Sequence, residues 1–394
     1  MKRLLNSVIL IFWICGAVLA HPPRVRISAW YWLNSAPKTD WQGDFVTMRN
    51  LGFTAVVLGW GIDSAAFRYK ARMADTQDAM RWAHEAGLRA YLIMWHPWAN
   101  SLPREPRFQA VDSAGHLLNT FDVFNPEWRN TQWKQYLQMV ARGLSKEPAM
   151  AGYVFDDSFG IGGGDAISYG KYEQRAFGGE LPRKPSDPRW DEWVKAREGW
   201  WVDWARDTVR FIRDVDPNPE HPIYLEDSSG DVFSPKLRDS VGVDFPRVAK
   251  QFDAFGAYTG NSWNSSPDSG KKTAQRTQDV LMRVRKVVDP RKLTIYTFWV
   301  ANAADELKPG PARYPTAEQI KLICEAALEA GVQHLDMYGY RIGDYRVTPA
   351  TLPKVTPGSG PRYPLTGQFP GKFLWDRPEI HEALGAYLRS LNGK

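Results

Sequence analysis

Cysteine is nearly absent from this chain: two in 394 residues, Cys15 and Cys324. A disulfide-dense module is excluded, so the protein must fold on a hydrophobic core. Histidine is scarce too, seven in all, with no His-x-His or His-Glu-x-x-His spacing. That points away from zinc or amidohydrolase chemistry, and neither a metal nor a cofactor is expected. Charge of one sign never accumulates: no run reaches five like charges, and the net +6 is spread along the chain. No basic arm for nucleic acid is therefore visible. With 43% apolar and 24% charged residues, disorder, collagen-like repeats and a multi-span membrane protein are excluded as well. Tryptophan is the abundant residue: 18, as many as phenylalanine.

Residues 1–20 read as a targeting segment. Lys2-Arg3 precede a mostly apolar run from Leu4 to Cys15, then small residues at Val18 and Ala20 before His21. This is the layout of a secretory signal cleaved near Ala20, the run being short for a membrane anchor. Cleavage would remove Cys15, leave Cys324 as a lone thiol and lower the net charge to +4, 48 basic against 44 acidic residues. A secreted or periplasmic bacterial protein with no remaining membrane span is expected. The sequence does not specify its oligomeric state.

From Val25 onward β-rich runs alternate with helical patterns. Strands are expected at 24–32, 53–60, 89–96, 150–157, 222–228, 253–259, 292–300 and 334–341. Several are almost continuously apolar, as strands of a parallel sheet buried on both faces are. Helical segments end at Gly52, Gly87 and Gly331, and Thr316 with Gln319 forms a capping box opening the helix that carries Cys324. The apolar run around Cys324 makes it a core thiol. Eight strands each feeding a helix predict an α/β fold, a single (β/α)8 TIM barrel over 24–394; a doubly wound open sheet is the rival. Two long loops are expected, at 158–189 and 343–376. The glycines of the first follow Asp156 and Asp157, whose charges would repel a phosphate.

In a barrel, chemistry sits at the C-terminal ends of the strands. Aromatic residues dominate there: Trp30, Trp32, Trp60, Trp95, Trp98, Tyr258, Trp263, Trp299, Tyr338 and Tyr340. Flat rings around a cleft suit the C–H faces of sugars, although part of this set must simply fill the barrel. Carboxylates end two adjacent strands, Asp156-Asp157 on the fourth and Glu226-Asp227 on the fifth. With strands about 4.8 Å apart, one from each can approach the ~5–5.5 Å spacing of a retaining glycosidase. Two of these four are expected only to cap a helix or hold an arginine. His96 is the one histidine at a strand end, and Ser158 and Ser228 lack a nucleophile-elbow context.

The stretch from Gly152 to Gly160, Gly-Tyr-Val-Phe-Asp-Asp-Ser-Phe-Gly, resembles the fourth strand of family 42 β-galactosidases and related clan A glycoside hydrolases. There the pattern is Gly, aromatic, two apolar residues, Asp-Asn-Glu, aromatic, Gly. The approach is similar too: Asp112-Ser113-Ala114-Gly115-His116, Phe124-Asn125-Pro126 and Lys146-Glu147-Pro148. The resemblance covers about residues 26–230 and implies a TIM barrel acting on sugar. It breaks at the chemistry. The family's acid/base Glu falls on Ser158 and its Asn on Asp157; its nucleophile Glu ends the seventh strand, where this chain has Thr297-Phe298-Trp299-Val300. A hydroxyl cannot serve as a general acid near neutral pH, so the clan A mechanism does not carry over.

The Val-Phe-Asp-Asp ending is also similar to α-amylase-like and galactosaminidase-like barrels, which place an Asp on the fourth strand and a Glu on the fifth or sixth. That resemblance implies Asp156 or Asp157 as nucleophile or oxocarbenium stabiliser and Glu226 as proton donor. The resemblance favours Asp156 slightly over Asp157, because Gly152, Val154 and Asp156 share the parity of the catalytic Asp on amylase-like strands. The substrate-facing set is then Trp30, Trp32, Trp60, Trp95, His96, Trp98, Asp227, Tyr258, Trp263, Trp299 and Tyr338. The expectation is an exported glycoside hydrolase with a carbohydrate partner. The alternatives are a glycan-binding barrel of polysaccharide export, which Ser158 suggests, and a lyase or metal-assisted hydrolase using Asp156, Asp157 and His96.

Overall fold

The computed structural model describes residues 25–59, 69–94, 105–156, 168–228, 242–259, 263, 268–302, 311–346, 348, 350 and 371–392. The expected targeting segment lies outside them, as does most of 343–376. The described strands are β1 (Arg26–Trp32), β2 (Ala55–Gly59), β3 (Arg89–Met94), β4 (Gln109–Val111), β5 (Leu117–Phe121), β6 (Met150–Asp156), β7 (Ile223–Ser228), β8 (Ala254–Thr259), β9 (Leu293–Trp299) and β10 (His334–Arg341). Eight of them close a parallel barrel in the order β1-β10-β9-β8-β7-β6-β3-β2, while β4 and β5 pair as a separate hairpin. The fold is the expected TIM barrel, its strands within two residues of the predicted bounds.

Helices surround the barrel: α1 (Lys38–Leu51), α2 (Tyr69–Glu85), α3 (Lys134–Leu144), α4 (Lys171–Phe177), α5 (Trp190–Arg213), α6 (Phe245–Ala249), α7 (Asp268–Val284), α8 (Ala317–Glu329) and α9 (Pro378–Asn392). The expected stops at Gly52, Gly87 and Gly331 all carry positive φ. The capping box of α8 forms in both directions: the Gln319 amide donates to Thr316 Oγ1 and the Thr316 amide to Gln319 Oε1. Cys324 is buried on that helix.

Two segments depart from expectation. The 158–189 stretch is not all loop, because Lys171–Phe177 forms α4, ended by Gly178 in the left-handed region. Its glycine and proline content hid one short helix that Phe177 and Leu181 seat against Trp193. The approach to β6 is the β4–β5 hairpin. There Asp112 Oδ1 accepts from the Ala114 and His116 amides at 2.8 Å, building the turn into the side chain.

Among the described residues, most tryptophans sit outside the barrel strands. Trp128 stacks on Phe121 at 5.3 Å and on Trp133 at 5.5 Å, and Trp201 meets Trp204 edge-on at 5.7 Å. Phe155 of β6 closes this layer against Trp133 and Trp204. The Trp133 indole donates to Thr208 Oγ1 at 2.9 Å, giving a buried N–H its acceptor.

At Gly152 the backbone runs through φ 149°, and a Cβ there would lie 2.5 Å from the Pro222 carbonyl oxygen. Gly152→Ala should therefore destabilise the fold by roughly 2–5 kcal/mol, combining backbone strain with a clash; chemical denaturation measures this. Beyond β5 the buried carboxyls of Asp122 and Glu173 face each other beneath the hairpin. Burial, with the Asp122 charge adding to it, pushes Glu173 up to about 10 from its ordinary 4.5. A carboxyl that holds its proton more tightly when folded favours folding fully below pH 4.5, and that contribution is lost as pH rises toward about 10. The melting temperature should fall across that window, and Glu173→Gln should flatten the slope. An unchanged slope in the variant would remove this pair as its cause.

Candidate active site

Strand parity decides which side chains enter the barrel, and contacts on both faces establish it. Tyr31 points outward, its hydroxyl donating to Asp44 of α1 at 2.6 Å, so Ser28, Trp30 and Trp32 point inward. Tyr153 also points outward, donating to Asp216 at 2.7 Å. Val154 and Asp156 therefore share the inward parity of Gly152, whose absent side chain leaves room for Tyr91. On β7 the Tyr224 ring meets Tyr91 across the interior at 5.8 Å, so Glu226 enters the barrel two residues nearer the mouth. The register then pairs Asp156 directly with Glu226, and neighbouring strands lie about 4.8 Å apart.

These two carboxylates differ in access. Glu226 is 1% exposed, whereas Asp156, ending its strand, is half-buried. Gly256, the register partner of Glu226 on β8, makes space for it: a Cβ there would stand 3.3 Å from Glu226 Cγ and 3.4 Å from Ile295 Cβ.

At the mouth, β9, β10 and β1 supply an aromatic wall centred on Tyr338, and β8, between β9 and β7, adds Tyr258. Its ring lies 4.8 Å from Trp299, 4.9 Å from Trp30 and 6.4 Å from Trp32, centroid to centroid. The Trp263 indole donates to the Trp299 carbonyl at 3.1 Å. The wall is layered, and three residues of the expected substrate-facing set lie beneath its surface. Trp30, Trp32 and Trp263 are buried behind it as support, while Trp299 and Tyr258 remain half-exposed. Asp157, Trp60, Trp95, His96 and Trp98 lie outside the described residues, and Asp227 is described only as part of β7. Among the described residues no group of three or more His, Cys, Asp or Glu is placed to hold a metal.

A third acid lies inside the barrel that sequence reasoning missed. Asp336 of β10 is buried, and it accepts hydrogen bonds from Ser28 Oγ, Trp30 Nε1 and Thr297 Oγ1. Ser28 and Thr297 are its register partners on β1 and β9. Burial raises the Asp336 carboxyl to about 6, with these donors opposing the rise. Ser28 spends its one proton on Asp336, so its oxygen accepts from His334 Nε2–H at 2.7 Å. His334 is neutral, held down to about 3 by burial and then by the Arg26 charge. One signal was available: a single acid inside the apolar run His334–Tyr340, at the parity of Tyr338.

By sequence, no protein-family model and no curated protein matches the chain. By structure, it is similar to several solved barrels. The β-galactosidase of Rahnella sp. R3 aligns over 95% of this chain and 57% of its own, at TM-score 0.63 and 15% identity. That of the psychrophilic Marinomonas ef1 aligns over 80% and 54%, at 0.59 and 14%. The PgaB (BpsB) glycoside hydrolase domain of Bordetella bronchiseptica aligns over 80% and 94%, at 0.52 and 13%. The chain thus spans little more than half the length of the β-galactosidases it matches. At such identities the likeness establishes the fold, a TIM barrel shared with glycoside hydrolases.

Gly256→Ala should discriminate between site and scaffold. The added methyl presses on Glu226 Cγ, and if Glu226 takes part in the reaction its displacement should cost about 10-fold or more in rate. Its melting temperature should shift by only a few degrees, about 2–4 °C per kcal/mol. Paired activity and thermal-melt measurements test this; losses in proportion would place the effect in the scaffold.

Proposed function

We propose that this protein is an exported glycoside hydrolase acting on a polysaccharide or oligosaccharide through Asp156 and Glu226. The observation that carries the reading is their direct register pairing on β6 and β7, both entering the barrel at its mouth. The spacing between adjacent strands is close to the ~5–5.5 Å of a retaining pair. Glu226, enclosed beside Gly256 and shielded from water, protonates the leaving oxygen. Asp156, nearer the opening, attacks the anomeric carbon or stabilises its developing positive charge, and Asp157 is the other candidate for that part. The half-exposed faces of Trp299 and Tyr258 receive the C–H side of a sugar ring. Structural neighbours whose names mark them as β-galactosidases and as an exo-β-1,4-mannosidase support a glycan as the substrate class. Residues 1–20 would direct export and then be removed.

The family 42 resemblance supports the sugar class but not that family's catalytic pair. Ser158 stands where its acid/base Glu would be, and β9 ends in Trp299, its inward Thr297 bonded to Asp336. These two features favour a second reading, a barrel that binds glycan in polysaccharide export without cleaving it.

Hydrolysis of a bacterial polysaccharide panel separates the two. Mature wild type should release sugar, and Asp156→Asn and Glu226→Gln should each lower kcat about 10²–10⁴-fold without unfolding the protein. Asp157→Asn should be close to wild type. A wild-type protein that cleaves nothing yet is retarded on a glycan affinity gel would establish the second reading instead.

A further inference from the structure

A carboxylate deep in a barrel is an expensive way to fill space. Asp336 is 1% exposed, and burying a carboxylate is costly unless it is well hydrogen-bonded. The chain surrounds it with donors from both neighbouring strands, Ser28 and Trp30 on one side and Thr297 on the other. Among these, the Trp30 indole is the group with orientation to gain. A buried indole N–H usually finds an acceptor, and an acceptor fixes the plane of a ring with only two rotatable bonds. The oriented Trp30 stands edge-on to Tyr338, their planes 67° apart. Tyr338 is in turn packed on Trp299 and lies edge-on to Trp32 and Phe373. Only Trp299 in this chain of contacts keeps a half-exposed face toward the mouth. On the same strand as Trp30, Ser28 is held by His334, which supplies no countercharge because it is neutral.

We propose that Asp336 is a positioning residue for the sugar-binding wall: by accepting the Trp30 indole proton it seats Tyr338, and through Tyr338 it sets the face that Trp299 presents at the end of β9. The substrate class rests on the glycan-acting reading; the positioning geometry does not. The part is distinct from catalysis, because Asp336 acts through two aromatic rings rather than on a reacting atom. It predicts a defect in binding rather than in chemistry.

The test compares Asp336→Asn, Trp30→Phe and the double variant on an oligosaccharide that the wild type cleaves. Loss of one charge-assisted hydrogen bond should raise KM about 10-fold in each single variant, with kcat changed less than about 3-fold. The double variant should be no worse than either single one, because both remove the same link. A fall in kcat at unchanged KM would overturn the proposal by placing Asp336 in the chemistry. Additive losses, or KM unchanged in folded variants, would also overturn it. If wild type binds the oligosaccharide without cleaving it, dissociation constants from calorimetry replace KM with the same expectations. If it neither cleaves nor binds any glycan, the functional reading fails and near-ultraviolet circular dichroism decides the geometry. Both single variants should then weaken the same aromatic band, and an unaltered spectrum would overturn the positioning part.

Discussion

A closed parallel barrel has no strand edge, so alternate side chains of all eight strands are driven into one enclosed volume. That constraint organises the rest of this molecule. Tyr31 and Tyr153 turn outward to acids outside the barrel, and the same alternation sends Trp30, Asp156 and their neighbours inward. Once β6 and β7 are in register, Asp156 and Glu226 stand on neighbouring strands at the same level. Gly152 and Gly256 serve the same closure, each leaving out a side chain where a neighbouring group needs the space.

Enclosure sets the electrostatics as well. Charge is costly in a volume that water does not reach, and this chain solves the problem in two ways. Asp336 is surrounded by hydroxyl and indole donors and remains an acid of moderate strength, raised to about 6. Glu173 has fewer donors and another carboxyl beside it, so it keeps its proton, its carboxyl raised to about 10. Both are buried acids, and they differ in the neighbouring Asp122 charge and in the supply of hydrogen-bond donors. The first arrangement faces the aromatic wall; the second lies under the hairpin, away from the barrel interior.

Tryptophan is divided between two tasks. The stack running from Trp128 to Trp204 fills the wide space between β6 and the helices α3 and α5, where bulk matters more than orientation. The set around Tyr338 is held by directed contacts: an indole N–H on Asp336, another on the Trp299 carbonyl. The same residue type acts as filler in one place and as an oriented surface in the other. What separates them is whether the contacts lead to a ring face that stays open, as at Trp299.

The barrel was legible in the sequence because its signals are local. Apolar runs with glycine at the helix ends, the Thr316–Gln319 capping box and the lone thiol of α8 each depend on residues a few positions apart. The pairing of carboxylates on the fourth and fifth strands was legible too, since strand order in a barrel follows chain order. The helix α4 and the β4–β5 hairpin were not, because short elements within glycine- and proline-bearing stretches carry too few periodic positions to stand out. Nor was Asp336, whose meaning depends on Ser28 and Thr297, 308 and 39 residues away along the chain. Likewise, only the folded chain could separate Trp30, Trp32 and Trp263 as support from Trp299 as surface. The sequence by itself determined which segments become strands and which end in acids. The tertiary structure decided which acids and rings share a volume, because strand closure brings distant residues together through register that no local pattern encodes.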